Sequence, residues 1–141
     1  MSTTLRPYIR KANYYETDQM AIVHHSNYIR WFEEARLDAL EQLGISYSEM
    51  EQGGFLIPVL DVSCQYIKTV RYGDTVEIRL KLIRFTGLKF DFAYEIYNQK
   101  TGELVTTGTS SHCILGSDFR PVRLKREYPE IYKIFKELTE G

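Results

Sequence analysis

The chain has 141 residues, with 18 basic and 19 acidic side chains. This length predicts a single domain, residues 1–141, that can bury a core without disulfides or metal ions. Because the charge is nearly balanced and no dense basic run occurs, nucleic acid is a poor candidate for the partner.

Membrane and disulfide signals are also absent from the sequence. The first residues lack the apolar core of a signal peptide, and no later stretch is long and apolar enough to span a bilayer. We therefore expect a cytoplasmic protein with no membrane partner. Cys64 and Cys113 lack the spacing of a metal or redox motif, so we interpret them as reduced packing residues.

The first third of the chain predicts a strand followed by a long helix. Residues 5–15 have a β-prone composition with imperfect alternation. Apolar residues then recur at intervals of three and four, as in a helix that buries one face: Tyr28, Trp31, Phe32, Ala35, Ala39 and Leu43. Ser26 or Asn27 is placed to cap the start of this helix, and Gly44 to end it.

The middle of the chain predicts antiparallel strands. Apolar and polar residues alternate over residues 60–66, 76–82 and 88–96, which gives each strand one apolar face and one polar face. Thr86-Gly87 predicts a tight hairpin between the second and third of these segments.

The end of the chain predicts one more strand and a short helix. Residues 104–115 form the strand, in which Gly108 marks a bulge or a close approach, and residues 128–138 form the helix. A strand, a long helix and a run of antiparallel strands predict an α+β fold in which the sheet curls around the helix.

The junction between the first strand and the long helix is the likeliest place for chemistry, since Asp18 and His25 lie there, seven residues apart. Helix N-termini present unpaired N–H groups and the positive end of the helix dipole, which can hold a developing oxyanion. A carboxylate and backbone donors at this junction can therefore face one carbonyl group.

This junction resembles the signature of the hotdog-fold thioesterases of the 4-hydroxybenzoyl-CoA thioesterase and YbgC type. The matching residues are Thr17-Asp18, Ala21, Ile22-Val23, His24, His25 and Asn27-Tyr28, followed by Trp31-Phe32-Glu33 and Ala35-Arg36. Residues 72–76 and Thr86-Gly87 also match, so the resemblance covers roughly residues 6 to 120. Many relatives have Gly where this chain has Ala21, which is strained if the loop requires a positive φ.

The resemblance implies a hotdog fold and hydrolysis of a thioester of CoA, or of acyl-carrier protein, without a metal ion or other cofactor. Asp18 would be the catalytic carboxylate, acting either as a nucleophile that forms a mixed anhydride or as a general base. His25 would polarise the thioester carbonyl through its backbone N–H, with its imidazole orienting water or the acyl group. His24 and His25 are adjacent, whereas metal-chelating histidines on a helix prefer a spacing of about four residues.

The resemblance also suggests substrate-binding residues, each of which has an ordinary structural explanation. Tyr28 lies on the apolar stripe of the helix and belongs either to the core or to the wall of the acyl pocket. Glu33 and Arg36 are spaced for a surface ion pair, although the glutamate tends to face the site in relatives. Three cations flank the strands or the hairpin, as solvated charges or as contacts for CoA phosphates: Arg84, Lys89 and Lys68.

Family members are typically dimers or tetramers, and a second subunit would cover an exposed edge of the sheet, so we expect a homodimer or homotetramer. Three alternatives to a thioesterase remain open at this point: a non-catalytic acyl-CoA-binding protein, a hotdog hydratase or dehydratase, and a structural subunit. A serine hydrolase is disfavoured, because Ser110 and Ser111 lie in a strand and no Gly-x-Ser-x-Gly motif is present.

Overall fold

The computed structural model describes residues 5–45 and 54–140. Its architecture is α+β, with a long helix packed on an antiparallel sheet, as the sequence predicts. The elements are β1 (Tyr8–Lys11), a 3-10 helix (Tyr14–Glu16), α1 (Ser26–Gln42), β2 (Phe55–Leu56), β3 (Val59–Tyr66), β4 (Thr75–Phe85), β5 (Lys89–Asn98), β6 (Leu104–Cys113), β7 (Leu115–Gly116), α2 (Leu124–Glu127) and α3 (Pro129–Glu140).

Five strands form the main sheet in the order β1-β4-β5-β6-β3, and β2 pairs with β7 in a separate two-stranded sheet. All of these pairings are antiparallel. The helix α1 packs on the main sheet and contacts β1, β3 and β4. The predicted alternation in β4 is confirmed, since Val76, Ile78 and Leu82 are buried. The sheet and α1 therefore share one core.

The centre of that core is a close contact between α1 and the sheet. The rings of Phe32 and Tyr94 stack with centroids 4.2 Å apart. Gly108 allows this packing, because a Cβ at that position would lie 2.6 Å from the Phe32 ring and from the Ser63 carbonyl oxygen. The close approach predicted at Gly108 is thus confirmed.

The predicted C-terminal end of α1 is confirmed, whereas the predicted N-terminal cap is wrong. Its N-cap is His25, which makes no side-chain capping hydrogen bond. The prediction that Ser26 or Asn27 caps the helix is therefore wrong, and the Asn27 amide instead donates to the Glu16 carbonyl at 2.9 Å. The predicted end is confirmed, since Gly44 follows the helix with a φ of +80°.

Two strand predictions also need correction. The first strand is shorter than predicted, because the chain leaves the extended conformation after Lys11 and turns into the 3-10 helix. We expected β3 to have one buried face, but every residue of it is exposed except Cys64, which is half-buried. The alternation in β3 is real in the sequence, yet the strand lies at the edge of the sheet and its apolar side chains are uncovered.

The C-terminal helix predicted over residues 128–138 is confirmed as α3. It contacts β4 and buries Phe135 and Leu138 against the core. Cys113 is buried and both cysteines are free, as the sequence indicates. In the described part of the chain, no helix has the length and apolar character needed to cross a membrane.

Candidate active site

The segment between the 3-10 helix and α1 forms a tight loop that carries Asp18. The Asp18 N–H donates to the Ile22 carbonyl at 2.9 Å, and the Ala21 N–H donates to the Asp18 carbonyl at 3.0 Å. Ala21 has a φ of 63°. An L-residue pays roughly 1–2 kcal/mol for this conformation, so the loop does require the positive φ at which alanine is strained.

The Asp18 carboxylate is half-buried and held by one of its two oxygens. Oδ1 accepts a hydrogen bond from the Met20 N–H at 2.8 Å. Within residues 5–45 and 54–140, Oδ2 has no hydrogen-bond partner. The loop thus fixes the orientation of the carboxylate and leaves one oxygen available for a substrate or a water molecule.

His25 stands at the first turn of α1, where backbone N–H groups point out of the helix. The Ser26 N–H donates to His24 Nδ1 at 3.2 Å, and the Asn27 N–H donates to the His24 carbonyl at 3.0 Å. The His25 N–H has no acceptor among the residues that the structure describes. It is therefore a free donor at the positive end of the helix dipole, which suits a carbonyl oxygen that gains negative charge.

A surface cleft of about 260 Å³ lies next to His25. Its walls are mostly apolar and consist of Ile22, Val23, His25, Tyr28, Tyr66, Ile67, Lys68 and Thr69. Asp18 is not part of the wall, but Ile22, whose carbonyl binds the Asp18 N–H, is. The structure therefore brings Asp18, His25 and Tyr28 to one region, as the sequence predicts.

Two tyrosines shape this cleft. Tyr66 donates a hydrogen bond from its hydroxyl to the His25 carbonyl at 3.2 Å, which ties the start of α1 to the end of β3. Although the Tyr66 side chain is half exposed, partial desolvation of its hydroxyl, with the neighbouring Cys64 thiol, raises the pKa of Tyr66 to about 12. Burial also raises the pKa of Tyr28. Both phenols are consequently neutral hydrogen-bonding groups at physiological pH.

A buried carboxylate, Glu16, anchors the loop. Its two oxygens accept hydrogen bonds from Arg10 at 2.6 and 2.9 Å, and they also accept from the Trp31 indole at 2.9 Å and the Asn13 N–H at 2.8 Å. Burial opposes ionisation of Glu16, but these hydrogen bonds and the charge of Arg10 together lower its pKa. Arg10 also pairs with Glu34 of α1.

The backbone of Glu16 makes a second connection. Its carbonyl accepts from the His24 N–H at 2.8 Å and from the Asn27 amide at 2.9 Å. Glu16 thus links β1, the Asp18 loop and the start of α1 through one residue. This role of Glu16 was not predicted from the sequence, in which Glu16 lies two residues before Asp18 and six residues after Arg10.

A second cavity, of about 140 Å³, lies farther along α1. Its lining residues are Glu33, Arg36, Leu37, Leu40, Ile57, Val59, Phe90, Phe92 and His112. Among the ion pairs of the described residues, the surface pair that the spacing of Glu33 and Arg36 allows does not occur. Instead Arg36 donates to the Tyr94 hydroxyl at 3.0 Å.

The predicted phosphate-binding cations are not brought together with Asp18 in one protomer. Arg84 and Lys89 are exposed at the β4–β5 hairpin. The Asp18 loop bonds to the segment before Thr75, at the other end of β4, so about 30 Å of strand separates the two regions. Lys68 does line the cleft, where it forms an ion pair with Glu103.

Over residues 5–45 and 54–140, no three histidine, cysteine, aspartate or glutamate side chains are grouped as metal ligands. The Asp18 loop supplies a carboxylate oxygen, and the adjoining cleft supplies the His25 backbone N–H and two neutral phenols, Tyr28 and Tyr66. This set suits attack on a carbonyl group in which the protein supplies the base or nucleophile and the oxyanion donor.

Comparison with known proteins gives a consistent result. A family model described as the thioesterase-like superfamily matches residues 13–133. The Bacillus subtilis protein named "Putative acyl-CoA thioesterase YneP" is 37% identical over 128 residues, which cover 90% of this chain and 92% of the relative. A 1,4-dihydroxy-2-naphthoyl-CoA hydrolase from Thermosynechococcus vestitus is 26% identical over 113 residues, which cover 79% of this chain and 77% of the relative.

The solved structures agree with the sequence comparisons. A DHNA-CoA thioesterase from Staphylococcus aureus superposes with a TM-score of 0.90 at 36% identity, covering 96% of this chain and 91% of that one. The hotdog architecture that the Asp18 loop and the strand pattern predict is thereby confirmed.

Proposed function

The chain belongs to the thioesterase-like superfamily and is a thioester hydrolase, and we propose that it hydrolyses acyl-CoA to a free carboxylic acid and CoA with Asp18 as the catalytic carboxylate. The observation that carries this proposal is that two polar groups at the start of α1 and in the loop before it have no hydrogen-bond partner among the described residues. Asp18 has a free Oδ2, and His25 has a free backbone N–H at the start of α1.

These two groups divide the reaction between them. The thioester carbonyl oxygen accepts a hydrogen bond from the His25 N–H, which stabilises the negative charge that develops on it. Asp18 then either takes a proton from the attacking water or attacks the carbonyl carbon itself to form a mixed anhydride, which water hydrolyses. In both routes the carbon–sulfur bond breaks and one water molecule is consumed: the CoA thiolate leaves and takes up a proton that this water supplies, and the acyl group is released as the free carboxylic acid.

The remaining substrate contacts follow the same proposal. Tyr28 walls the cleft next to His25, and Glu33 borders the second cavity. We assign Arg84 and Lys89 to the phosphates of CoA, which lie outside the acyl pocket and need cations. The imidazole of His25, whose ring centroid is 6.3 Å from that of Tyr66, orients water or the acyl group.

A second subunit completes this arrangement. The edge strand β3 exposes Val59, Leu60, Val62 and Tyr66. If two copies of β3 pair antiparallel about a two-fold axis through the centre of the strand, the Val59 end of one copy lies beside the Tyr66 end of the other. Val59 lines the second cavity and Tyr66 lines the cleft at His25. A homodimer therefore places the cavity of one subunit next to the catalytic loop of its partner.

The test of this function is thiol release from short, medium, long and aromatic acyl-CoAs, and from an acyl-carrier-protein thioester. Wild-type protein should release thiol from at least one acyl-CoA. Hydration of an enoyl-CoA without thiol release would indicate a hydratase instead, and binding of acyl-CoA without any turnover would indicate a non-catalytic acyl-CoA-binding protein.

A further inference from the structure

The last residue of β3, Tyr66, reaches across the cleft to the start of α1. Its hydroxyl donates a hydrogen bond to the His25 carbonyl oxygen at 3.2 Å. A backbone carbonyl can only accept, so the single hydrogen of the phenol is directed at His25. A side chain of the sheet therefore holds the backbone of the residue whose N–H faces the thioester in the proposed reaction.

The ring of Tyr66 is held by contacts that do not involve its hydroxyl. It packs edge-to-face on the ring of Tyr28, with centroids 5.0 Å apart and planes at 75°, and on the ring of His25, with centroids 6.3 Å apart and planes at 77°. Edge-to-face packing is a favourable arrangement of aromatic rings. Tyr28 is itself buried in the core, so the place of the Tyr66 ring is set by the fold. Phenylalanine at this position would keep both ring contacts.

The Tyr66 hydroxyl is a permanent donor under ordinary conditions. Partial desolvation, with the neighbouring Cys64 thiol, raises the pKa of Tyr66 to about 12. A phenol with this pKa keeps its proton at neutral pH, whereas a phenolate could not donate at all. The bond to the His25 carbonyl is therefore present throughout the pH range in which a thioesterase is assayed.

The backbone of His25 is held on both sides of its Cα. On the side of its N–H, the preceding carbonyl of His24 accepts from the Asn27 N–H at 3.0 Å. On the other side, the His25 carbonyl accepts from the Tyr28 N–H at 3.3 Å, which is long for such a bond, and from Tyr66. Each peptide group is planar, so only φ and ψ of His25 relate the two planes. Holding both planes fixes the direction in which the His25 N–H points.

That direction matters because an oxyanion donor stabilises charge only when it already points at the place where the charge develops. We propose that Tyr66 is a positioning residue, which aims the His25 N–H at the thioester oxygen by holding the His25 carbonyl. The inference rests on the proposed acyl-CoA hydrolysis and adds a residue of the sheet to its machinery. Tyr66 acts through His25 and does not itself bind the reacting atoms.

Tyr66→Phe tests this role, because it removes the hydroxyl and keeps the ring. With active sites counted by titration with an unreactive acyl-CoA thioether, kcat should fall about 3- to 10-fold, the range expected for one neutral hydrogen bond. KM and the Kd of the thioether, which has no carbonyl group, should stay at their wild-type values, since the aim of the donor matters most in the transition state. Counting sites removes any effect of a smaller folded fraction.

Tyr97→Phe is the matched control. It removes a hydroxyl that donates at the same distance, 3.2 Å, but to the Glu95 carboxylate on β5, away from the cleft. We expect it to keep the wild-type kcat and KM. A fall in kcat for Tyr66→Phe alone then reports the bond to His25 rather than the general loss of a tyrosine hydroxyl.

Infrared spectroscopy of the bound substrate gives a second readout, which a purely structural role would not change. In Asp18→Asn, which should bind acyl-CoA without rapid turnover, the donor at His25 should lower the stretching frequency of an isotope-labelled thioester carbonyl. Adding Tyr66→Phe should move this frequency back toward that of the free substrate. Adding Tyr97→Phe should leave it unchanged.

The inference requires both the fall in kcat and the change in carbonyl frequency. It is overturned if either is absent, if Tyr97→Phe shows the same loss, or if Tyr66→Phe raises KM at constant kcat, which would make Tyr66 a substrate-binding residue. If wild type releases thiol and Tyr66→Phe does so equally well, only this inference fails. If wild type releases no thiol from any acyl-CoA, the proposed function fails and this inference fails with it.

Discussion

At the scale of single residues, the site depends on a few side chains that fix backbone. Asp18 uses one carboxylate oxygen to hold the loop at Met20, and Ala21 accepts a left-handed conformation to close it. Glu16 holds the same loop from the other side through Arg10 and Trp31. Strain at Ala21 is thus offset by a buried, hydrogen-bonded carboxylate that lies two residues before Asp18.

Glu16→Gln tests this anchor. We expect the free energy of unfolding to fall by about 2–3 kcal/mol at neutral pH, because the substitution removes a buried charge that pairs with Arg10. Since folding lowers the pKa of Glu16 below its ordinary value of 4.5, its contribution is present above that value and is lost as the pH falls through the lower folded value. Urea denaturation of both proteins at pH 7 and at about pH 3 measures the difference.

The control for this experiment is Glu77→Gln, which removes the partner of the exposed Arg79. It should leave the free energy of unfolding almost unchanged at both pH values. A Glu16→Gln difference that is as large in acid as at neutral pH would contradict the assigned role of the Glu16 charge.

At the scale of elements, α1 and the sheet approach closely because the residue at their contact is a glycine, which has no side chain. Gly108 of β6 faces Phe32 of α1, and the space for a Cβ is already filled by the ring and by the Ser63 carbonyl oxygen. Phe32 stacks on Tyr94, whose hydroxyl accepts from Arg36 at the second cavity and lies 2.5 Å from Ser110 Oγ. The contact at Gly108 therefore sets how closely α1 approaches both the core and the second cavity.

Gly108→Ala should lower the free energy of unfolding by about 1–3 kcal/mol, because an added methyl group must displace both the ring and backbone. Gly116→Ala is the matched control in β7. Its Cβ would meet the end of the Asp118 side chain at 3.0 Å, which can rotate away. Equal midpoints of chemical denaturation for Gly108→Ala and wild type would show that the close approach does not limit the packing.

Much of this could be predicted from sequence, and the failures have physical reasons. Alternation located β4 and β5, and the spacing of apolar residues located α1, because both patterns report one covered face. In β3 the same alternation led to a wrong prediction of a buried face, because alternation does not show whether any surface packs against the apolar side chains. Asp18 and His25 were selected from a local signature. Glu16 was not, because its partners Arg10 and Trp31 come from other elements and meet it only in the folded chain.

At the scale of the whole molecule, β3 is the edge strand whose apolar side chains the described part of the chain leaves exposed. It is a long edge strand with apolar side chains and an unpaired row of backbone groups, an arrangement that proteins normally cover. Pairing of two copies would cover it and would bring the second cavity of one subunit beside the cleft of the other. In the proposed dimer, assembly and catalysis are therefore coupled, because Val59 of the second cavity and Tyr66 of the cleft lie at opposite ends of the strand that pairs.

Val62→Lys tests that coupling. Val62 lies in the middle of β3 and is 40% exposed, so a lysine there is compatible with the monomer but places like charges at the two-fold axis. We expect a dimer, or a larger even assembly, for wild type in sedimentation equilibrium and a shift toward monomer for Val62→Lys, with loss of thiol release. Ile83→Lys changes a comparably exposed residue of the inner strand β4 and should keep the wild-type mass. A monomeric wild type, or a Val62→Lys protein of unchanged mass, would contradict the edge pairing.

The most direct measurement of the central claim is thiol release by Asp18→Asn beside its binding of an unreactive acyl-CoA thioether. Asp118→Asn is the control, since Asp118 Oδ1 holds the N–H two residues ahead, as Asp18 does. We predict that Asp18→Asn binds the thioether like wild type while its kcat/KM falls by about 10²- to 10⁴-fold, and that Asp118→Asn turns over normally. Thiol release by Asp18→Asn within a few-fold of wild type would show that another group performs the reaction.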